Sequence, residues 1–311
     1  MDIRNIGHSG LRVSLIGLGC NNFGGRTGIN ESKAVIHAAL DAGITLFDTA
    51  DIYGNRGGSE TALGQWLGAR RKDIVLASKF GMAMDDAGEK IGGSRRYIMQ
   101  AVDESLRRLK TDWIDLYQMH RPDPRTPIEE SLRALDDLVR SGKVRYIGCS
   151  NLAAWQVVDA TATAQLKGLN AFICAQDEYS LLFRTPETEL IPALMAKGMG
   201  LLPFYPLAGG MLTGKYHRDA AAPSGSRFAD AKLAARYLHD ANWPKVDKLQ
   251  AFAAARGKSL LELAFSWLAG QKVVPSIIAG ATTPEQIAQN VSAASWKLTA
   301  EELAEIDRLA A

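Results

Sequence analysis

Cysteine is scarce: Cys20, Cys149 and Cys174 are the only three in 311 residues, widely spaced and without a CxxC pair. That count argues against a disulfide framework and against a metal site, and it predicts a reducing, cytoplasmic setting. An excess of charge of one sign is also missing. Thirty-six Lys and Arg stand against 34 Asp and Glu, a formal +2, so no nucleic-acid partner is advertised. No apolar run approaches the roughly 18 residues of a membrane helix, and the start MDIRNIGHSG lacks the apolar core of a signal peptide. No Ser/Gly/Pro-rich linker divides the chain. The expectation is one domain over 1–311 with no membrane and a small-molecule partner, its oligomeric state left open.

What is present is alternation. Short apolar runs at Leu15–Leu18, Thr45–Phe47, Ile74–Ser78, Ile114–Gln118, Val144–Gly148, Phe172–Ala175, Gly200–Phe204 and Ser276–Ala279 read as strands covered on both faces. Helical patterns lie between them, such as Tyr97–Lys110 with Ile98, Val102, Leu106 and Leu109. Thr126-Pro127 with Glu129, Thr283-Pro284 with Gln286, Ser259 with Glu262 and Thr299 with Glu302 read as helix starts with capping boxes. Eight strand-then-helix units predict an α/β fold, a (β/α)8 TIM barrel. An open dinucleotide-binding sheet is disfavoured because no GxGxxG follows a strand. The stretch from Leu207 to Asn242 reads as one long functional loop after the seventh strand.

Barrel enzymes carry their chemistry at the C-terminal ends of the strands. The second strand ends at Asp48 with Tyr53 close behind, the third at Lys79 and the fourth at His120. Neighbouring strands lie roughly 4.8 Å apart, so these four side chains converge. Lys79 favours the phenolate of Tyr53 and so lowers its pKa, Asp48 holds the lysine charged, and His120 donates to a carbonyl oxygen. Together they protonate an oxygen that gains negative charge, which is half of a carbonyl reduction. Singly, Asp48 and Lys79 read equally well as a structural ion pair, and Tyr53 as packing.

The segments Gly43–Ala50, Tyr53-Gly54, Ser59-Glu60 and Leu63-Gly64, and later Gly142–Asn151, resemble the two signatures of the aldo-keto reductase superfamily. Similarity runs from about Arg4 to Leu309. Arg121-Pro122-Asp123-Pro124 and Pro206–Gly210 resemble the branch of bacterial aldehyde reductases and potassium-channel β subunits. Those subunits have asparagine where this chain has His120, so the family's tetrad of Asp48, Tyr53, Lys79 and His120 is complete here, with Tyr53 as acid.

The resemblance implies an NADP-dependent reductase of aldehydes and ketones, with NAD as the alternative cofactor. It implies a nicotinamide stacked on Phe204, its carboxamide held by Ser150, Asn151 and Gln176. Tyr205, Pro206, Leu207 and Gly209 would form the start of a strap over the pyrophosphate, with Lys215 and Arg227 as phosphate partners. Gly280, Thr282, Gln286 and Asn290 would meet the adenosine end, although the basic residue many relatives carry there is absent. The strap nearly spells a P-loop, Gly209 to Lys215, but Tyr216 replaces the required Ser or Thr. Asn21, Asn22, Phe23, Ile52, Phe80 and Met82 are expected to wall an open substrate pocket. Two other classes stay in view: a slow cofactor-sensing regulator on the same scaffold, and a Schiff-base aldolase using Lys79. The aldolase is disfavoured because an ion pair keeps the lysine protonated.

Overall fold

The structure, a computed structural model, describes residues 1–218, 220, 222–223 and 226–310. It opens with an antiparallel hairpin, β1 (Ile3–Asn5) and β2 (Arg12–Ser14). Eight parallel strands follow: β3 (Ile16–Gly19), β4 (Leu46–Asp48), β5 (Val75–Phe80), β6 (Ile114–Met119), β7 (Val144–Ser150), β8 (Cys174–Glu178), β9 (Gly200–Phe204) and β10 (Ile277–Gly280). Their order in the sheet is β10-β3-β4-β5-β6-β7-β8-β9. Near the remaining seam Leu201 N donates to Val273 O at 2.8 Å. The result is the (β/α)8 barrel expected, with each observed strand displaced by no more than two or three residues at either end.

The hairpin is the element the sequence reading did not contain. Its strands are three residues long, below the length at which alternation is legible. Ile6 and Val13 from this hairpin join Leu46, Ala77, Leu116, Cys174, Leu202 and Ile278 in one buried cluster. The strands contribute one apolar layer inside the barrel, and the hairpin plugs its lower end. A second and larger cluster fills the space between strands and helices.

Helices form where the sequence punctuates them. In Arg95–Leu109, Ser94 accepts from Tyr97 N as N-cap, and Ile98, Val102 and Leu109 are buried. Lys110 then ends the helix in the left-handed region at φ 52°. The capping boxes at Ser259 with Glu262 and Thr299 with Glu302 are present. Thr283 caps Pro284–Ala293 by accepting from Gln286 N, but Gln286 Oε1 accepts from Thr282 N rather than closing the box. The Thr126 cap is corrected. Helix Ile128–Arg140 starts one residue later with Pro127 at the cap position, Thr126 Oγ1 donates to Asp123 Oδ2 instead, and Glu129 pairs with Arg133.

The described residues between Leu207 and Asn242 are more ordered than expected. They hold short helical turns at Ala208–Thr213 and Arg227–Ala229 and a helix at Ala231–Tyr237. Asp230 caps that helix by accepting from Lys232 N and Leu233 N. From it, Tyr237 Oη donates to Glu178 and Arg236 pairs with the same carboxylate, tying the segment to the end of β8.

Candidate active site

Side chains alternate along a strand, so residues two beyond the apolar layer face the same interior one level higher. Two past Leu46, Ala77, Leu116 and Cys174 stand Asp48, Lys79, Gln118 and Gln176. The barrel therefore changes from apolar to polar within one pleat. The change falls at the floor of a cavity of about 820 Å³, whose wall includes Asp48, Tyr53, His120, Ser150, Asn151 and Phe204.

Lys79 is fully buried, and its ammonium donates two hydrogen bonds beside the Tyr53 ring. Nζ donates to Asp48 Oδ2 at 2.7 Å and to Thr49 O at 2.9 Å, and it lies 5.0 Å from the centroid of the Tyr53 ring. Burial alone would lower the lysine, but the carboxylate and the phenol outweigh it and its pKa is raised. Asp48 Oδ1 in turn accepts from Gln176 Nε2 at 2.8 Å and Gln118 Nε2 at 3.2 Å. A buried ion pair persists only when its remaining polar atoms are satisfied, and here they are.

Tyr53 sits where a short left-handed turn leaves the rim. Gly54, Asn55, Arg56 and Gly57 all have positive φ. At Gly54 a Cβ would lie 2.3 Å from Phe23 O, so only glycine fits. The preceding loop is pinned by Ser59 Oγ, which bonds Thr49 Oγ1 and donates to Cys20 O, each at 2.7 Å. The expected lowering of the Tyr53 pKa is corrected. Desolvation is the largest influence and raises it, and the pull of Lys79 offsets this only in part. Tyr53 therefore holds its proton, with Lys79 placed to stabilise the phenolate once that proton leaves.

His120 meets Tyr53 edge to face, ring centroids 5.7 Å apart. Desolvation, then the charges of Lys79 and Arg121, pull its pKa down to about 3. The ring is neutral at physiological pH and holds one N–H to donate. Its Nδ1 is buried without a partner among the described residues.

The other expected residues divide. Asn151, left-handed at φ 60°, directs both N–H bonds inward, to His120 O at 3.1 Å and Ser150 Oγ at 2.9 Å. Gln176, Tyr205, Pro206, Leu207, Gly209, Lys215, Arg227, Gly280, Thr282, Gln286 and Asn290 all line the same cavity. Arg227 lies over the Tyr205 ring, 5.5 Å from its centroid, and donates to Asn21 Oδ1 and Asn22 Oδ1 at 3.2 and 3.3 Å. Among the described residues it has no carboxylate partner, and desolvation lowers its pKa. Of the expected substrate wall, Asn21 and Asn22 line the cavity but face Arg227. Phe23 and Phe80 are corrected: both are fully buried in the core, Phe80 against Tyr117. Ile52 and Met82 are half-buried and lie outside the cavity wall. Gln118 was missed, although its place two residues beyond Leu116 on an inward face is a readable signal. Among the described residues no cluster of His, Cys, Asp and Glu could hold a metal.

Comparison with known proteins gives a consistent picture. The family model described as "Aldo/keto reductase family" matches residues 15–311. A probable voltage-gated potassium channel subunit beta from Oryza sativa subsp. japonica is 39% identical, covering 94% of this chain and 91% of that protein. L-glyceraldehyde 3-phosphate reductase of Escherichia coli (strain K12) is 34% identical over 99% and 92% of the two chains. Versiconal hemiacetal acetate reductase of Aspergillus parasiticus is 33% identical over 97% and 95%.

Proposed function

The chain belongs to the aldo/keto reductase family, oxidoreductases of carbonyl compounds, and we propose that it reduces aldehydes and ketones to alcohols with NADPH, Tyr53 delivering the proton. The observation that carries this reading is the Lys79 ammonium. It is fixed by Asp48 and by Thr49 O, and it stands 5.0 Å from the ring centroid of Tyr53, whose side chain lines the cavity.

A nicotinamide cofactor fits the residues present. Arg227 is a half-buried cation with no carboxylate to neutralise it among the described residues, and it lies on the wall of a cavity of about 820 Å³. An uncompensated guanidinium of this kind is matched by a phosphate, which accepts its planar pair of N–H bonds. Lys215 on the same wall would share that role, with Thr282, Gln286 and Asn290 toward the adenosine. Phe204 would face the nicotinamide, and Ser150, Asn151 and Gln176 its carboxamide. Bound there, the reduced nicotinamide would supply the hydride.

The protein's own part is the proton. Neutral His120 would donate its N–H to the carbonyl oxygen and hold it beside Tyr53. As negative charge grows on that oxygen, the Tyr53 O–H proton crosses to it, and the phenolate left behind is paired with Lys79. Asp48 keeps the lysine charged throughout. Carbonyl, hydride and proton sum to an alcohol. Titration of protein fluorescence with NADPH and NADH, followed by turnover of an aldehyde panel that includes 4-nitrobenzaldehyde, tests the reading. Saturable NADPH binding with measurable turnover is expected. If neither cofactor bound, the assignment would be wrong. The likeness to a channel β subunit favours a second reading, a cofactor-sensing regulator, for which binding without turnover would be the signature.

A further inference from the structure

Gln118 has no part in the chemistry just described, yet it occupies the middle of the polar layer and is fully buried. Its register partners are Lys79 on β5 and Gly148 on β7. Nε2 donates to Asp48 Oδ1 at 3.2 Å, and Oε1 accepts from Gln176 Nε2 at 3.4 Å. Gln176 Nε2 also donates to Asp48 Oδ1 at 2.8 Å. Both N–H bonds of Gln176 are thus directed into the barrel floor, one to an acceptor-only carboxylate and one to an amide oxygen. Only its carbonyl oxygen is left for the cavity. Turning the amide over would set that oxygen against Asp48 and against Gln118 Oε1, two repulsive contacts in place of two hydrogen bonds.

The strand between the two amides makes room for their meeting. At Gly148 a Cβ would lie 3.2 Å from Gln118 Cγ and 2.8 Å from Cys174 Sγ. Glycine therefore leaves this level of β7 without a side chain, and Gln118 reaches past it to Gln176 on β8.

We propose that Gln118 is a positioning residue that locks Gln176 as a hydrogen-bond acceptor, so that the site selects a cofactor ring whose carboxamide donates an N–H, and that it ties this lock to the Asp48–Lys79 pair beneath Tyr53. The inference rests on the nicotinamide reading above. A residue that only filled the barrel, or only satisfied Asp48, would leave selectivity for the ring substituent unchanged.

The test compares three oxidised cofactors by quenching of protein fluorescence: NADP, its thionicotinamide analogue, which keeps the NH2 group, and its 3-acetylpyridine analogue, whose methyl ketone has no N–H. The wild type is expected to bind the first two within about threefold of each other. The acetylpyridine form should bind roughly 10- to 100-fold more weakly, because an acceptor is left facing a methyl group. In Gln118→Leu and Gln118→Met, which keep the volume, Gln176 loses one of its two restraints and that preference should shrink at least fivefold. Wild-type protein that binds all three alike would overturn the inference without any variant. Variants that keep the wild-type preference would overturn it as well, with cofactor binding itself intact. If the wild type bound none of the three, the cofactor reading and this inference would fall together.

Discussion

Replacing Asp48 by asparagine removes the charge that holds Lys79 but keeps the shape. Lys79 is fully buried, so its ammonium would face one neutral amide, one carbonyl and one phenol. Breaking a buried pair by removing one partner typically costs about 3–5 kcal/mol. An unfolding entropy of roughly 2.1 cal/mol/K per residue gives about 0.65 kcal/mol/K for this length, so the cost corresponds to a Tm lower by about 5–8 °C. Asp48→Asn should therefore melt several degrees early in calorimetry at pH 7. The double variant Asp48→Leu/Lys79→Met should recover at least half of the loss, because removing both charges also removes the uncompensated one. Recovery is incomplete, since Gln118 and Gln176 lose the carboxylate oxygen to which both donate. A Tm change below about 1 °C in Asp48→Asn would refute the argument that this pair is energetically coupled.

His120 is pulled down to about 3, below its ordinary value near 6.5, so the unfolded chain binds the extra proton in that interval. It contributes stability above pH 6.5 that is lost as pH falls toward 3, and His120→Asn should narrow the Tm drop between pH 7 and 4.5 in thermal melts. Burial, then the charge of Glu60, raises Asp51 well above the carboxylate range, and its Oδ1 has no partner among the described residues. A raised acid is stabilising below its unfolded pKa and loses that contribution as pH rises, so Asp51→Asn should gain more in Tm relative to wild type at pH 8 than at pH 5. Arg227→Met should weaken NADPH binding by roughly 10- to 100-fold in fluorescence titration, the scale of one charge-assisted contact of 1.5–3 kcal/mol, while Tm without cofactor changes little.

Much of this site follows from strand period and position. Asp48, Lys79 and His120 close apolar runs, and a barrel gathers whatever closes its strands, so their meeting is legible in the sequence. Tyr53 is readable by its distance from Asp48, but not the full left-handed turn through Gly54–Gly57 that fixes it, because Arg56, unlike glycine or asparagine, does not announce positive φ. The hairpin plug was invisible for want of length. Gln118 is less legible because it does not close its run; its inward face is set by parity along the strand. The sign of the Tyr53 shift is hidden from the sequence for a different reason. A neighbouring cation is legible in sequence, but the depth of burial that outweighs it is a property of the closed barrel.

The central claim, that the proton comes from Tyr53, is tested most directly by Tyr53→Phe. NADPH affinity measured by fluorescence should stay within about threefold of wild type. Turnover of 4-nitrobenzaldehyde at saturating NADPH should fall by roughly 10²- to 10⁴-fold, the usual contribution of a positioned acid. Turnover at the wild-type rate with cofactor bound would contradict the account.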